Sequence, residues 1–126
     1  MLSKVEWTGK NSLVGITASG QRIEMDFEDG PGPMQLALQA IGACSLVDVI
    51  GGLKQRNLTK AWVEMDSTRA ETSPRFFTSI HLIYHVEGDA PQKLVERLVE
   101  KSHEKYCSVS NSLKESCKIT TEVVIH

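Results

Sequence analysis

Only three cysteines occur in the 126 residues, and no two of them form a CxxC pair. Structural zinc sites draw on such pairs, so the chain is short of ligands for one. Lysine and arginine never cluster into a tract, and the net charge of −2 offers no electrostatic pull toward nucleic acid or an anionic membrane. No uninterrupted apolar stretch reaches the roughly 20 residues that a membrane-spanning helix needs. The N-terminal run Met1-Leu2-Ser3-Lys4-Val5-Glu6-Trp7 goes directly into alternation, without an apolar export region. These absences lead to the expectation of a cytoplasmic protein without metal or cofactor, binding neither nucleic acid nor membrane. Its cysteines are expected to be reduced, either as inert core thiols or as a redox pair.

What is present is ordinary globular material, 40% apolar and 24% charged. The length suits a single domain over residues 1–126, able to bury a core without metals or disulfides. Val5 and Trp7, then Leu13-Val14-Gly15-Ile16, then Ile23, Met25 and Phe27 show partial period-two alternation. Gly9-Lys10-Asn11 and Ser19-Gly20 between them are turn chemistry, so three successive antiparallel strands are expected. Pro33 then occupies the position that proline favours at a helix start. From Met34 to about Gln55 apolar residues fall on nearly every side of the expected helix, which therefore needs protein all round it. In so short a chain, that requirement points to a second subunit.

Ala61, Val63 and Met65 alternate with Trp62, Glu64 and Asp66. After the turn at Thr72-Ser73-Pro74, a longer run sets Thr78, Ile80, Leu82, Tyr84 and Val86 against Phe77, Ser79, His81, Ile83 and His85. An amphipathic helix follows Asp89-Ala90-Pro91, with Leu94, Val95, Leu98 and Val99 on its apolar face. A short helix over Val109 to Glu115 and a β-branched strand over Ile119 to Ile125 complete the order β-β-β-α-β-β-α-α-β. Strands and helices without regular βαβ alternation are the mark of an α+β protein.

Cys44, in Gly42-Ala43-Cys44-Ser45, falls in the middle of the apolar helix, flanked by small residues that let another backbone or a substrate approach. Cys107 follows His103-Glu104-Lys105-Tyr106, where a helix N-terminus or a charged His103 would favour its thiolate. Cys117 opens the last strand and reads as core. Asp48 is one helical turn beyond Cys44; there it opposes thiolate formation or else pairs with a basic residue such as Arg22 or Arg97. His81 and His85 share a strand face but are roughly 13 Å apart, too far to hold one metal. His103 and Cys107 have helical i,i+4 spacing, but no further pair completes a metal site. Arg75 is read as part of the hairpin turn.

Pro33-Met34-Gln35-Leu36 running into Ala40-Ile41-Gly42-Ala43-Cys44-Ser45 resembles the proline-led central helix of the OsmC/Ohr family, which carries that family's peroxidatic cysteine. Glu104-Lys105-Tyr106-Cys107-Ser108-Val109-Ser110 is similar to the segment that bears its resolving cysteine. The resemblance implies an OsmC-like fold, with antiparallel sheets around a buried central helix in an intertwined homodimer. It also implies thiol-dependent reduction of organic hydroperoxides through Cys44 and Cys107, an oxidative-stress role with peroxiredoxin-type chemistry, and an external dithiol as reductant. Two positions depart from the family pattern. Met34 stands where a glutamate partner of the cysteine is expected, and only Lys10 is available near the position of the family arginine. These departures keep a second function open: a non-catalytic relative that binds a small lipophilic ligand in the dimer cleft, with redox-sensing thiols.

Overall fold

The computed structural model describes residues 1–126, which divide into two compact units, Met1–Gln39 and Ala40–His126. The first unit is built on a three-stranded antiparallel sheet in the order β1 (Ser3–Gly9), β2 (Ser12–Thr17), β3 (Arg22–Asp26). The turn chemistry read from the sequence joins these strands. Lys10 takes a positive φ of 49° in the first turn, and its carbonyl accepts from Trp7 Nε1–H at 2.8 Å.

The helix α1 (Pro33–Gly52) begins at the proline, as the sequence indicates. It ends earlier than the expected limit near Gln55, because Gly51 and Gly52 lower helix propensity and the chain then tightens, Leu53 N–H donating to Ile50 O. Its apolar residues show almost no one-sided bias, yet within a single chain only Ile41, Gly42, Ser45 and Val49 are buried. Val47 and Ile50 remain 66% and 42% exposed. By length and composition alone this helix could cross a membrane, although Gln35, Gln39 and Asp48 interrupt its apolar run. Its buried face, however, meets protein. A Cβ on Gly42 would collide with Met65 Sδ, and one on Gly52 with the Leu98 side chain.

The second unit carries another three-stranded sheet, ordered β4 (Leu58–Arg69), β5 (Phe77–Gly88), β6 (Lys118–Ile125). The alternation read along β5 is realised: Ile80, Leu82, Tyr84 and Val86 are fully buried. β4 and β5 pair antiparallel, whereas β5 and β6 pair parallel, which differs from the expected wholly antiparallel sheets. A parallel pair needs a crossover, and α2 (Gln92–Lys101) with the turns after it supplies one. Val95 and Val99 of α2 face the core, and Gln92 Nε2 donates to Val123 O of β6 at 2.9 Å.

Beyond α2 the chain does not form the regular short helix expected at Val109 to Glu115. Residues Ser102–Tyr106 form a π-helical turn, closed by Cys107 N–H donating to Ser102 O, and Ser110–Ser112 form a single 3-10 turn. Two further expectations are settled locally. Arg75 belongs to the hairpin turn, its Nε–H donating to Ala70 O at 3.1 Å. Cys117 is not core; it is half-buried in the turn before β6, where burial pushes its thiol up.

The absence of a side chain at Gly42 is thus what lets α1 approach β4. Gly42→Ala should cost about 1–3 kcal/mol of stability through overpacking against Met65. Urea denaturation of the parent and Gly42→Ala measures this, and Met65→Ala in the Gly42→Ala background should recover part of the loss. Equal midpoints for parent and Gly42→Ala would show that the contact is slack.

Candidate functional site

Cys44 is held by the middle of α1, one residue after the helix position where Ala43 is exposed and one before the buried Ser45. The orientation of this stretch is set by its neighbours. Gly42 sits against Val63 and Met65 of β4, and Ser45 Oγ–H is turned inward onto the Ile41 and Gly42 carbonyls at 3.0 and 3.1 Å. The Cys44 thiol is half-buried.

Cys107 is fully buried between the π turn and the 3-10 turn. The two cysteines singled out in the sequence are neighbours, near enough for Cys44 to act on the Cys107 thiol. Burial is the main force on Cys107 and pushes its thiol up, and the neighbouring Cys44 adds to the rise. Two donors on Ser110 act in the opposite direction. Its backbone N–H reaches Cys107 Sγ at 3.4 Å, and its hydroxyl, 3.4 Å from the Cys107 carbonyl, also lowers the thiol. Asn111 Nδ2–H fixes the same loop by donating to the Cys107 carbonyl at 2.8 Å.

From Ser110 a line of polar side chains runs back to α1. His103 Nδ1 is 3.1 Å from Ser110 Oγ, and His103 Nε2 is 2.7 Å from the Tyr84 hydroxyl. Tyr84 O–H in turn donates to Ser45 Oγ at 2.7 Å. Burial pushes Tyr84 far above its ordinary value, so it remains a neutral phenol. Burial also lowers His103, while the charge of Asp48 works against that shift. A charged His103, one of the two supports for a Cys107 thiolate expected from the sequence, is disfavoured by this burial, and the imidazole meets the Cys107 loop through Ser110.

Asp48 does not pair with Arg22 or Arg97. Its carboxylate accepts from Ser102 Oγ–H at 2.6 Å, while Arg22 lies beside Glu24 at 3.5 Å. The π turn explains why a serine fills that place: it turns Ser102, buried, toward α1. His103 also faces an open cleft of about 590 Å³ lined by Glu96, Glu100, Glu104 and Cys117.

The remaining histidines are occupied elsewhere. His81 contacts Thr120 Oγ1 at 2.6 Å and Glu122 at 2.8 Å, while His85 stacks on Trp62 and shares a 2.9 Å contact with His126. No three His, Cys, Asp or Glu side chains converge on a site of metal-binding size. Lys10 lies in the β1–β2 turn and Met34 in the first turn of α1. Ser45, Tyr84, Ser102 and Ser110 were not singled out from the sequence. Only the fully buried register of Tyr84, a polar-tipped residue among Ile80, Leu82 and Val86, could have signalled a partner for its hydroxyl.

Comparison with known proteins agrees with this architecture. Residues 26–122 match the family described as OsmC-like protein. Protein YhfA of Escherichia coli K12 is 38% identical over 126 residues, spanning 95% of this chain and 94% of that protein. A crystal structure of a hypothetical protein from Aquifex aeolicus VF5 superposes with a TM-score of 0.86 at 32% identity, covering 99% of this chain and 96% of that one. The organic hydroperoxide resistance protein OhrB of Bacillus subtilis shares the fold at a TM-score of 0.67 and 16% identity, each chain covered to 98%. With a proline-led helix carrying Cys44 and a polar turn presenting Cys107 to it, the chain belongs to the OsmC-like family.

Proposed function

We propose that this protein reduces organic hydroperoxides through Cys44 and Cys107, as a thiol enzyme of the oxidative-stress response. The observation that carries the reading is that Cys44 neighbours Cys107 and acts on its thiol, whereas Cys117, in the turn before β6, acts on neither. Cys44 is the more exposed of the pair and takes the peroxidatic role. Its thiolate attacks the peroxide oxygen, the O–O bond breaks, an alcohol leaves, and a sulfenic acid remains on Cys44. Cys107 then condenses with it to a disulfide, releasing water, and an external dithiol of the cytoplasm reopens the bond. The buried, upward-shifted Cys107 suits this order, because a thiol kept protonated does not compete for the peroxide. Met34 and Lys10, standing where the family glutamate and arginine are expected, favour one second reading, a non-catalytic relative with redox-sensing thiols and a lipophilic ligand.

The working form in this proposal is a homodimer. Val47 and Ile50 lie exposed on the face of α1 away from Ile41, Ser45 and Val49, and a second copy would cover them.

One equivalent of an organic hydroperoxide should join Cys44 to Cys107 within one chain and leave Cys117 free, as read by peptide mapping. Cys107→Ser should stop at a sulfenic acid on Cys44 that excess peroxide drives to sulfinic acid. No oxidation of Cys44, or a disulfide through Cys117, would remove the peroxidase assignment in favour of the second reading. Sedimentation at micromolar concentration should find two chains per particle, and Val47→Asp with Ile50→Asp should shift the protein to monomer or abolish its solubility. A stable parent monomer would refute the dimer.

A further inference from the structure

The line of hydrogen bonds from Ser45 to Cys107 has a definite polarity. Ser45 O–H is committed to the carbonyls of α1, so Ser45 Oγ is the acceptor for Tyr84 O–H. With its proton so directed, the Tyr84 oxygen is the acceptor for His103 Nε2–H. A neutral His103 then presents an unprotonated Nδ1 to Ser110 Oγ at 3.1 Å, nearer than the Cys107 carbonyl at 3.4 Å, and Ser110 in turn borders Cys107 Sγ, its backbone N–H 3.4 Å from the sulfur. Every link ends on an acceptor, and the only member able to take up another proton near neutral pH is His103 Nδ1.

We propose that Ser110 and His103 form a proton relay for Cys107, in which Ser110 is a catalytic residue touching the sulfur and His103 is the positioning base behind it. The inference rests on the hydroperoxide chemistry above and concerns its second step. The Cys107 S–H bond breaks, its proton passes to Ser110 Oγ, and the Ser110 hydroxyl proton moves to His103 Nδ1. The freed thiolate attacks Cys44 Sγ, forming the S–S bond as the S–OH bond of the sulfenic acid breaks. Cys107 sulfur is oxidised and Cys44 sulfur reduced, and the departing hydroxide is protonated to water, the balance of one proton being returned by His103. The organic hydroperoxide that made the sulfenic acid is the oxidant.

The surroundings favour a transient imidazolium. Around His103 stand Asp48 from α1, neutral Tyr84 from β5 and Cys107 from the following turn. Glu96, Glu100 and Glu104 of its own helical segment and Cys117 share its cleft, and none of these groups is a cation. Asp48, anchored by Ser102, is the charge that acts on it most directly. The relay works while His103 is neutral, so disulfide closure should slow as pH falls through a midpoint below the ordinary histidine value of about 6.5.

The test uses the full chain and two readouts. After one equivalent of organic hydroperoxide, the decay of the Cys44 sulfenic acid is followed against pH in the parent, Ser110→Ala, Ser110→Thr and His103→Gln. Separately, thiolate absorbance titrates Cys107 in protein carrying Cys44→Ser and Cys117→Ser, with and without Ser110→Ala. Closure should be about tenfold slower or more in Ser110→Ala and His103→Gln, and His103→Gln should lose the acidic inflection. Ser110→Thr, which keeps a hydroxyl, should recover most of the rate, and Ser110→Ala should move the Cys107 titration upward by about one unit. A parent profile without an inflection below about pH 6.5 would overturn the relay even if a variant fails to fold. So would closure and titration unaltered by Ser110→Ala. If hydroperoxide never oxidises Cys44, the proposed function falls, and the Cys107 titration alone decides whether Ser110 acts on that thiol.

Discussion

A phenol buried without a partner is costly, because its hydroxyl leaves water and gains nothing in exchange. Tyr84 stands fully buried on β5 in a row with Ile80, Leu82 and Val86, and its hydroxyl finds partners on two other elements, Ser45 of α1 and His103 of the π turn. Breaking either contact would strand a polar atom in the core, so the three elements are held in one arrangement. The cysteines inherit that arrangement. Cys44 adjoins Ser45, and Cys107 is linked to His103 through Ser110, so the satisfaction of one hydroxyl fixes where both sulfurs lie.

The electrostatics of the site follow from the same enclosure. No lysine or arginine makes an ion pair with Asp48; Ser102 holds it, and its charge is felt by His103 and Tyr84. Burial dominates the shifts of Tyr84, His103 and Cys107 alike, and in each case it favours the uncharged form. Those three groups rest uncharged beside the one carboxylate and carry charge only in passing. That differs from activation by a fixed guanidinium, which the resemblance to hydroperoxide-reducing relatives led one to look for around Met34 and Lys10.

Much of the fold was legible because it rests on local periodicity. The alternation of β5, the proline that opens α1 and the apolar face of α2 each appear where the residues indicate. The cysteine pair was legible through motif resemblance. What escaped depends on pairing at a distance or on backbone register. Nothing in Lys118–Ile125 itself specifies a parallel partner, since β-branched residues suit either direction. The serine partner of Asp48 was not legible because it is more than fifty positions away and no charge advertises it. Ser110 carries no signal at all until the loop around Cys107 is closed.

The π turn at Ser102–Tyr106 bears on how this chain is set beside its relatives. Such a turn holds one residue more than an α-helical turn would, an insertion absorbed without breaking the helix. A residue shifted by one position on a helix rotates by about 100°. An alignment that carries a regular helix through this segment would therefore set His103 or Cys107 opposite the wrong neighbour. Relatives with an unbroken α-helix here should be aligned with a one-residue gap inside it, and only then can the presence or loss of this histidine be compared across the family.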